Sequence, residues 1–110
     1  MGLNDEIKEN TNILIEDRSV ELPEEQAATE SLKTFVEFLI SQKYLDQSDF
    51  PIESGYKRYL INTDPIHQDG DQMIRPAEIE DDVFVETNYN PTQIKSRILK
   101  LYDLVQSKSQ

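Results

Sequence analysis

The sequence predicts an α+β fold, with a small antiparallel sheet of about three strands packed against two main helices. Three observations carry this expectation. Two stretches place apolar residues at three- and four-residue spacing, short β-branched or aromatic runs stand between them, and turn-forming residues separate the runs. The chain has 110 residues, 36% hydrophobic and 30% charged, which suits one domain with one modest core.

Taken in order, residues 1–22 are expected to form an acidic N-terminal arm, polar and without periodicity over 1–10 and therefore mobile there. Within it Asn12-Ile13-Leu14-Ile15 is a short β-branched run, predicted to pair as an edge strand over 12–15. The main domain is expected over 23–106. Pro23 followed by Glu24 and Glu25 opens a helix, since proline suits the first helical position and carboxylates favour the positive end of the helix dipole. Ala28, Leu32, Phe35, Val36, Leu39 and Ile40 form its apolar stripe, predicting a helix over about 24–45.

Residues 46–55, with Asp49-Phe50-Pro51 and Ser54-Gly55, predict a loop. Tyr56 to Asn62 is aromatic and β-branched enough to be a strand, Asp69-Gly70 is a turn signal, and Val83 to Asn88 predicts a further strand. Asn90, Pro91 and Gln93 then mark a helix start: a capping side chain, a first-position proline and a capping-box partner. Ile94, Ile98, Leu101, Tyr102 and Val105 make the stripe of a helix over about 91–106, with 107–110 as a frayed tail.

Twenty-two acids against eleven bases give a net charge of −11. Residues 1–30 alone carry nine acids and two bases, so the remainder is much nearer neutrality. Such acidity repels nucleic acid and anionic lipid at long range. There is no cysteine, which removes disulfides and thiolate metal sites and fits a reducing compartment. No apolar run approaches a membrane span, and the first residues have neither the basic nor the apolar region of a signal peptide, so a cytoplasmic location is expected.

Catalytic chemistry finds little support. Asp64, His67, Asp69 and Asp71 are the one group resembling a metal site, but their spacing departs from a calcium loop, where Pro76 stands at the position of the bidentate glutamate. His67 is the sole histidine and has no serine elbow or cysteine to pair with. The three glycines, at 2, 55 and 70, cannot cradle a phosphate. No enzymatic activity, metal or cofactor is therefore expected. Two groups could serve DNA: Lys57, Arg58 and Arg75 as phosphate-binding cations, and Asn88-Tyr89-Asn90 at a helix start, followed by Lys95, Arg97 and Lys100.

From Ser31 to about Leu104 the order of features resembles the C-terminal DNA-binding domain of SeqA, the bacterial protein that sequesters newly replicated origins by binding hemimethylated GATC sites. The residues carrying the resemblance are a helix over Leu32 to Asp46, then Gly55-Tyr-Lys-Arg-Tyr-Leu-Ile, Gly70-Asp-Gln-Met-Ile-Arg-Pro76, and Val83-Phe-Val-Glu-Thr-Asn-Tyr-Asn90 leading into a helix. The resemblance implies a DNA-binding regulatory domain in which the loop at Gln72, Arg75 and Pro76 approaches duplex DNA while Asn88 and Asn90 contact the site. It departs after Asn90, where Pro91, Thr92, Gln93 and Ile94 replace the family's Thr and Arg-Lys pair, and in having no tryptophan. The implied surface combines Lys57, Arg58, Arg75, Lys95 and Arg97. An acidic arm that folds over that surface would be autoinhibitory. The alternative is an acidic adaptor or inhibitor module, presenting Glu78, Glu80, Asp81, Asp82 and Glu86 to a basic protein surface.

Overall fold

The computed structural model describes residues 2–80 and 82–108. Among the described residues the chain is α+β, with three α-helices and two antiparallel sheets of two and four strands. In chain order these are α1 (Leu3–Thr11), β1 (Leu14–Glu16), β2 (Ser19–Glu21), α2 (Ala28–Ser41), a single 3-10 turn (Gln47–Asp49), β3 (Ile52–Gly55), β4 (Arg58–Asn62), β5 (Pro76–Glu80), β6 (Val83–Glu86) and α3 (Pro91–Lys108). The expected sheet of about three strands is thus a four-stranded one, and a separate hairpin accompanies it.

The largest departure from expectation is at the N-terminus, where the predicted mobile arm is helix α1. Asp5 accepts the Gly2 N–H at 3.2 Å, Asp5 and Glu6 occupy the first turn, and Asn12 ends the helix in the left-handed conformation, φ 61°. Ile7 is fully buried, and Tyr44 donates to the Glu6 carboxylate at 2.5 Å, which raises the Tyr44 phenol above its ordinary value. The segment after α1 is a hairpin, β1–β2, whose two-residue turn puts Asp17 and Arg18 at φ 49° and 65°. Two positive-φ residues in succession match the twist of antiparallel strands. Ile13, Ile15 and Val20 from this region join the core with Leu32, Phe35, Ile98 and Leu101. The acidic arm is therefore built into the fold, because its few apolar residues are placed at helix and strand spacing.

Helix α2 begins four residues later than predicted. Pro23 to Gln26 close a turn instead, the Gln26 N–H reaching the Pro23 carbonyl at 3.3 Å. The helix ends at Ser41, where Lys43 takes φ 63° and the Tyr44 N–H bonds the Leu39 carbonyl at 2.8 Å, with Lys43 bonding Ile40 at 3.0 Å. This closure satisfies the last carbonyls, so Leu45 reaches the core from beyond the helix.

The larger sheet has the order β3-β4-β6-β5, antiparallel throughout. Ile52, Ile61, Val85 and Ala77 stand side by side across it and pack into the core shared with α2 and α3. Strand β3 falls in a segment predicted as loop, and β5 in one for which no strand was predicted. Each is short, and each owes its extended state to a partner, β4 or β6. On β5, the outermost strand, Glu78 and Glu80 take the exposed positions while Ala77 and Ile79 are half-buried. Helix α3 runs as predicted from Pro91, two residues further than expected at its end. Asn90 accepts the Gln93 N–H at 2.8 Å while Gln93 accepts the Asn90 N–H at 3.0 Å, a reciprocal capping box. Arg18 binds both Asp103 oxygens, at 2.7 and 2.8 Å, and ties the hairpin to the far half of α3. No described helix is long and apolar enough to cross a membrane.

Candidate functional site

The antiparallel register gathers three separated sequence segments at one end of the sheet. Ile61 faces Val85, so the start of β4 lies beside the residues following β6, and Pro76 faces Glu86 at the start of β5. The Thr87 N–H and hydroxyl both donate to the Arg75 carbonyl, at 3.0 and 2.7 Å, and prolong the pairing past the end of β6. A cleft of about 240 Å³ opens at this end, lined by residues that include Arg58, His67, Ile74, Glu86, Asn88, Tyr89 and Arg97.

Its floor is polar and buried. Glu86 has a side chain 5% exposed and accepts the Ile74 N–H at 2.9 Å through Oε1 and the Arg75 N–H at 2.8 Å through Oε2. One carboxylate thus satisfies two backbone donors of the loop between β4 and β5, replacing the water they would otherwise need. His67 is buried as well, its Nδ1 accepting the Tyr59 N–H at 3.0 Å. An imidazole that accepts at Nδ1 carries its proton on Nε2, and that nitrogen faces Glu86 Oε1 at 3.6 Å. Asn62 completes the anchoring by donating to the Ile66 carbonyl at 3.1 Å. The 63–75 loop is therefore held to the sheet by three buried side chains, while Asp69 accepts the Asp71 N–H at 3.1 Å within a tight turn. That backbone bond is the first cause holding the Asp69 carboxyl below its ordinary value.

The predicted DNA-binding residues divide into three groups. Arg58 and Asn88 line the cleft, and Asn88 is exposed. Arg75 and Lys57 stand on exposed loop positions, with Lys57 Nζ 5.3 Å from the Tyr56 ring centre. Gln72 is exposed and bridges Ile66 within the loop, and it does not line the cleft. Lys95 is exposed and is not among the cleft residues either; helical spacing sets it on the opposite flank of the Ile94–Ile98–Leu101 stripe from Arg97. Arg97 is the basic residue of α3 that enters the cleft, its guanidinium 4.7 Å from the centre of the Tyr89 ring. The predicted acidic face also changes. Glu86 is buried beneath the loop and does not belong to it, Glu78, Glu80 and Asp82 are exposed, and Asp81 lies outside the described residues. Among the described residues no group of three or more histidine, aspartate and glutamate side chains could hold a metal ion.

The sequence gives no warning that Glu86 and His67 are internal. Glu86 follows Val83-Phe84-Val85 on a strand, and a carboxylate there was open to reading as surface charge. Ile74, which lines the cleft, is 69% exposed, and Tyr56, on the β3–β4 turn and not among the cleft residues, is 86% exposed.

Two substitutions separate structural from recognition roles here. Asn90→Ala is expected to cost about 1 kcal/mol of stability through the lost cap, whereas Asn88→Ala, exposed and without a side-chain hydrogen bond among the described residues, leaves the unfolding free energy from urea denaturation within about 0.5 kcal/mol of wild type. Lys57 occupies φ 57° at the β3–β4 turn. Lys57→Gly is expected to raise stability by about 0.5–1 kcal/mol in thermal unfolding, because a left-handed lysine is strained where glycine is not. No family model, no curated protein and no solved structure matches the chain.

Proposed function

We propose that this chain is a SeqA-like regulatory domain that binds duplex DNA weakly through the end of the four-stranded sheet. The observation that supports this reading most is the meeting of Arg58 and Asn88 in one cleft, with the backbone of Arg75 held next to it through Thr87, three separated segments brought to one end of the sheet. Arginines there would sit on phosphates and fix the register, and the Asn88 amide would meet a base edge, where a donor and an acceptor can be read together. Asn90 has its carbonyl oxygen committed to Gln93, so its part would be limited to the amide N–H groups. Ile74 supplies apolar contact beside them.

Fluorescence anisotropy with unmethylated, hemimethylated and fully methylated GATC duplexes tests the reading at two salt concentrations. Binding that weakens steeply with salt, prefers one methylation state and loses that preference in Asn88→Ala is the expected result. No binding to any duplex at low salt would overturn it. That outcome would favour the second reading, an acidic module for a basic protein surface, which rests on the exposed Glu78, Glu80 and Asp82 around the β5–β6 turn.

A further inference from the structure

Among the described residues, Arg97 is the side chain with a buried polar atom that lacks a hydrogen-bond partner. Its Nε is buried and finds no acceptor among the described residues. A buried donor left without a partner costs about 1–3 kcal/mol, and such an atom calls for an explanation in an absent water or ion. The nearest explanation, an ion pair with Glu86 across the same cleft, does not occur: both Glu86 oxygens already accept loop N–H groups, and Oε1 also faces His67 Nε2 at 3.6 Å. The guanidinium is nevertheless held against Tyr89, its carbon 4.7 Å from the ring centre, within cation–π range. A second guanidinium, Arg58, lines the same cleft, and its one ionic contact is a long one of 3.7 Å to Asp71, both groups being about half exposed or more. An exchange of that partner costs little.

From this arrangement we infer that the cleft is a receptor for a single phosphate group, with Arg97 as its principal donor, Arg58 as the second cation and the Asn88 amide at the rim. The chemistry is specific. A planar guanidinium offers its terminal N–H groups in parallel, a fork that two oxygens of a tetrahedral phosphate accept, while the enclosed Nε–H lies behind them and reports on the same group. Immobilisation against Tyr89 means that little side-chain entropy is lost on binding. Carboxylates are poorly placed to compete, because Glu86 is turned toward the loop. The inference deepens the DNA reading, for a backbone phosphate is one source of the group; free inorganic phosphate is the other. Arg97 rather than Lys95 is then the α3 residue that meets the ligand, in place of the basic pair the resemblance leads one to seek just after Asn90.

The side-chain Nε–H resonance of Arg97, assigned by its loss in Arg97→Lys, reports on the site in the wild-type chain. It is followed by 15N–1H spectroscopy during titration with inorganic phosphate and, separately, with a GATC duplex. The expected result is a saturable shift of that resonance with both, and about tenfold weaker duplex binding in Arg97→Lys, which keeps the charge and loses the fork. In Arg97→Gln the slope of log affinity against log salt falls by about one. A shift with the duplex alone identifies a backbone phosphate as the source. A shift with phosphate alone supports the site while the DNA reading fails. Duplex binding that leaves the Arg97 resonance unmoved overturns the inference and spares the DNA reading, and no shift with either ligand overturns it outright.

Discussion

Glu86→Ala is expected to destabilise the fold by about 2–4 kcal/mol and to release the 63–75 loop. The alanine leaves the part-buried Ile74 and Arg75 N–H groups without their acceptor, and each orphaned buried donor costs about 1–3 kcal/mol. Glu86→Gln is only a partial repair. The amide oxygen accepts one of the two N–H groups, while the amide nitrogen turns a donor toward the other. Urea denaturation of the three proteins should therefore rank wild type, then glutamine, then alanine. Amide hydrogen exchange should show the loss concentrated at Ile74 and Arg75. Equal stabilities would mean that water already serves these donors. Because Arg75 leads into β5 and its carbonyl holds Thr87, the same substitution should also blur the cleft and weaken any ligand bound there.

The second large effect concerns the acidic N-terminal segment. Its removal, residues 1–22, is expected to unfold the protein. Ile7, Ile13, Ile15 and Val20 are each at most 6% exposed, and burying such a side chain is worth about 1.5–3 kcal/mol. Together they account for roughly 6–12 kcal/mol, which is comparable with the whole stability of a small domain, about 5–15 kcal/mol. The truncated chain should lack a cooperative thermal transition by circular dichroism. An autoinhibitory arm would behave otherwise, leaving a folded remainder with raised affinity for DNA. The geometry also separates this segment from the cleft: Arg18 is joined to Asp103, about 20 Å along α3 from the Asn90 cap at 1.5 Å per residue.

How much of this was legible in the chain depends on how local each signal is. Helix α3 was fully legible, because Asn90, Pro91, Gln93 and the stripe from Ile94 to Val105 all act within one helix. The body of α2 was legible from its stripe, but its ends were misjudged. Pro23 suited a helix start and a turn equally, and Lys43 adopts a left-handed conformation that nothing in its side chain announces. Helix α1 was missed because it buries little apolar surface, chiefly Ile7, under a dense run of charges. Strands β3 and β5 were missed since Ile52-Glu-Ser-Gly and Pro76-Ala-Glu-Ile-Glu acquire their structure from β4 and β6. In the cleft, Arg58 and Asn88 could be picked out by residue type, and Arg97 by helical spacing from Ile94 and Ile98. The buried anchors could not, because Glu86 meets its partners 11 and 12 residues away through a register that no local pattern encodes.

Strand β5 has one free side, and a strand with a free side is a template onto which another extended chain can add. Two copies of this protein meeting there would bring the Glu78 and Glu80 carboxylates of each against those of the other, on molecules that each carry a net charge of −11. At neutral pH that repulsion opposes such pairing. As the solution approaches the isoelectric region near pH 4.4, the net repulsion between copies falls away while the strand's unpaired N–H and C=O groups remain. The charge that makes nucleic acid an awkward partner is thus the same charge that opposes the pairing of this protein with itself.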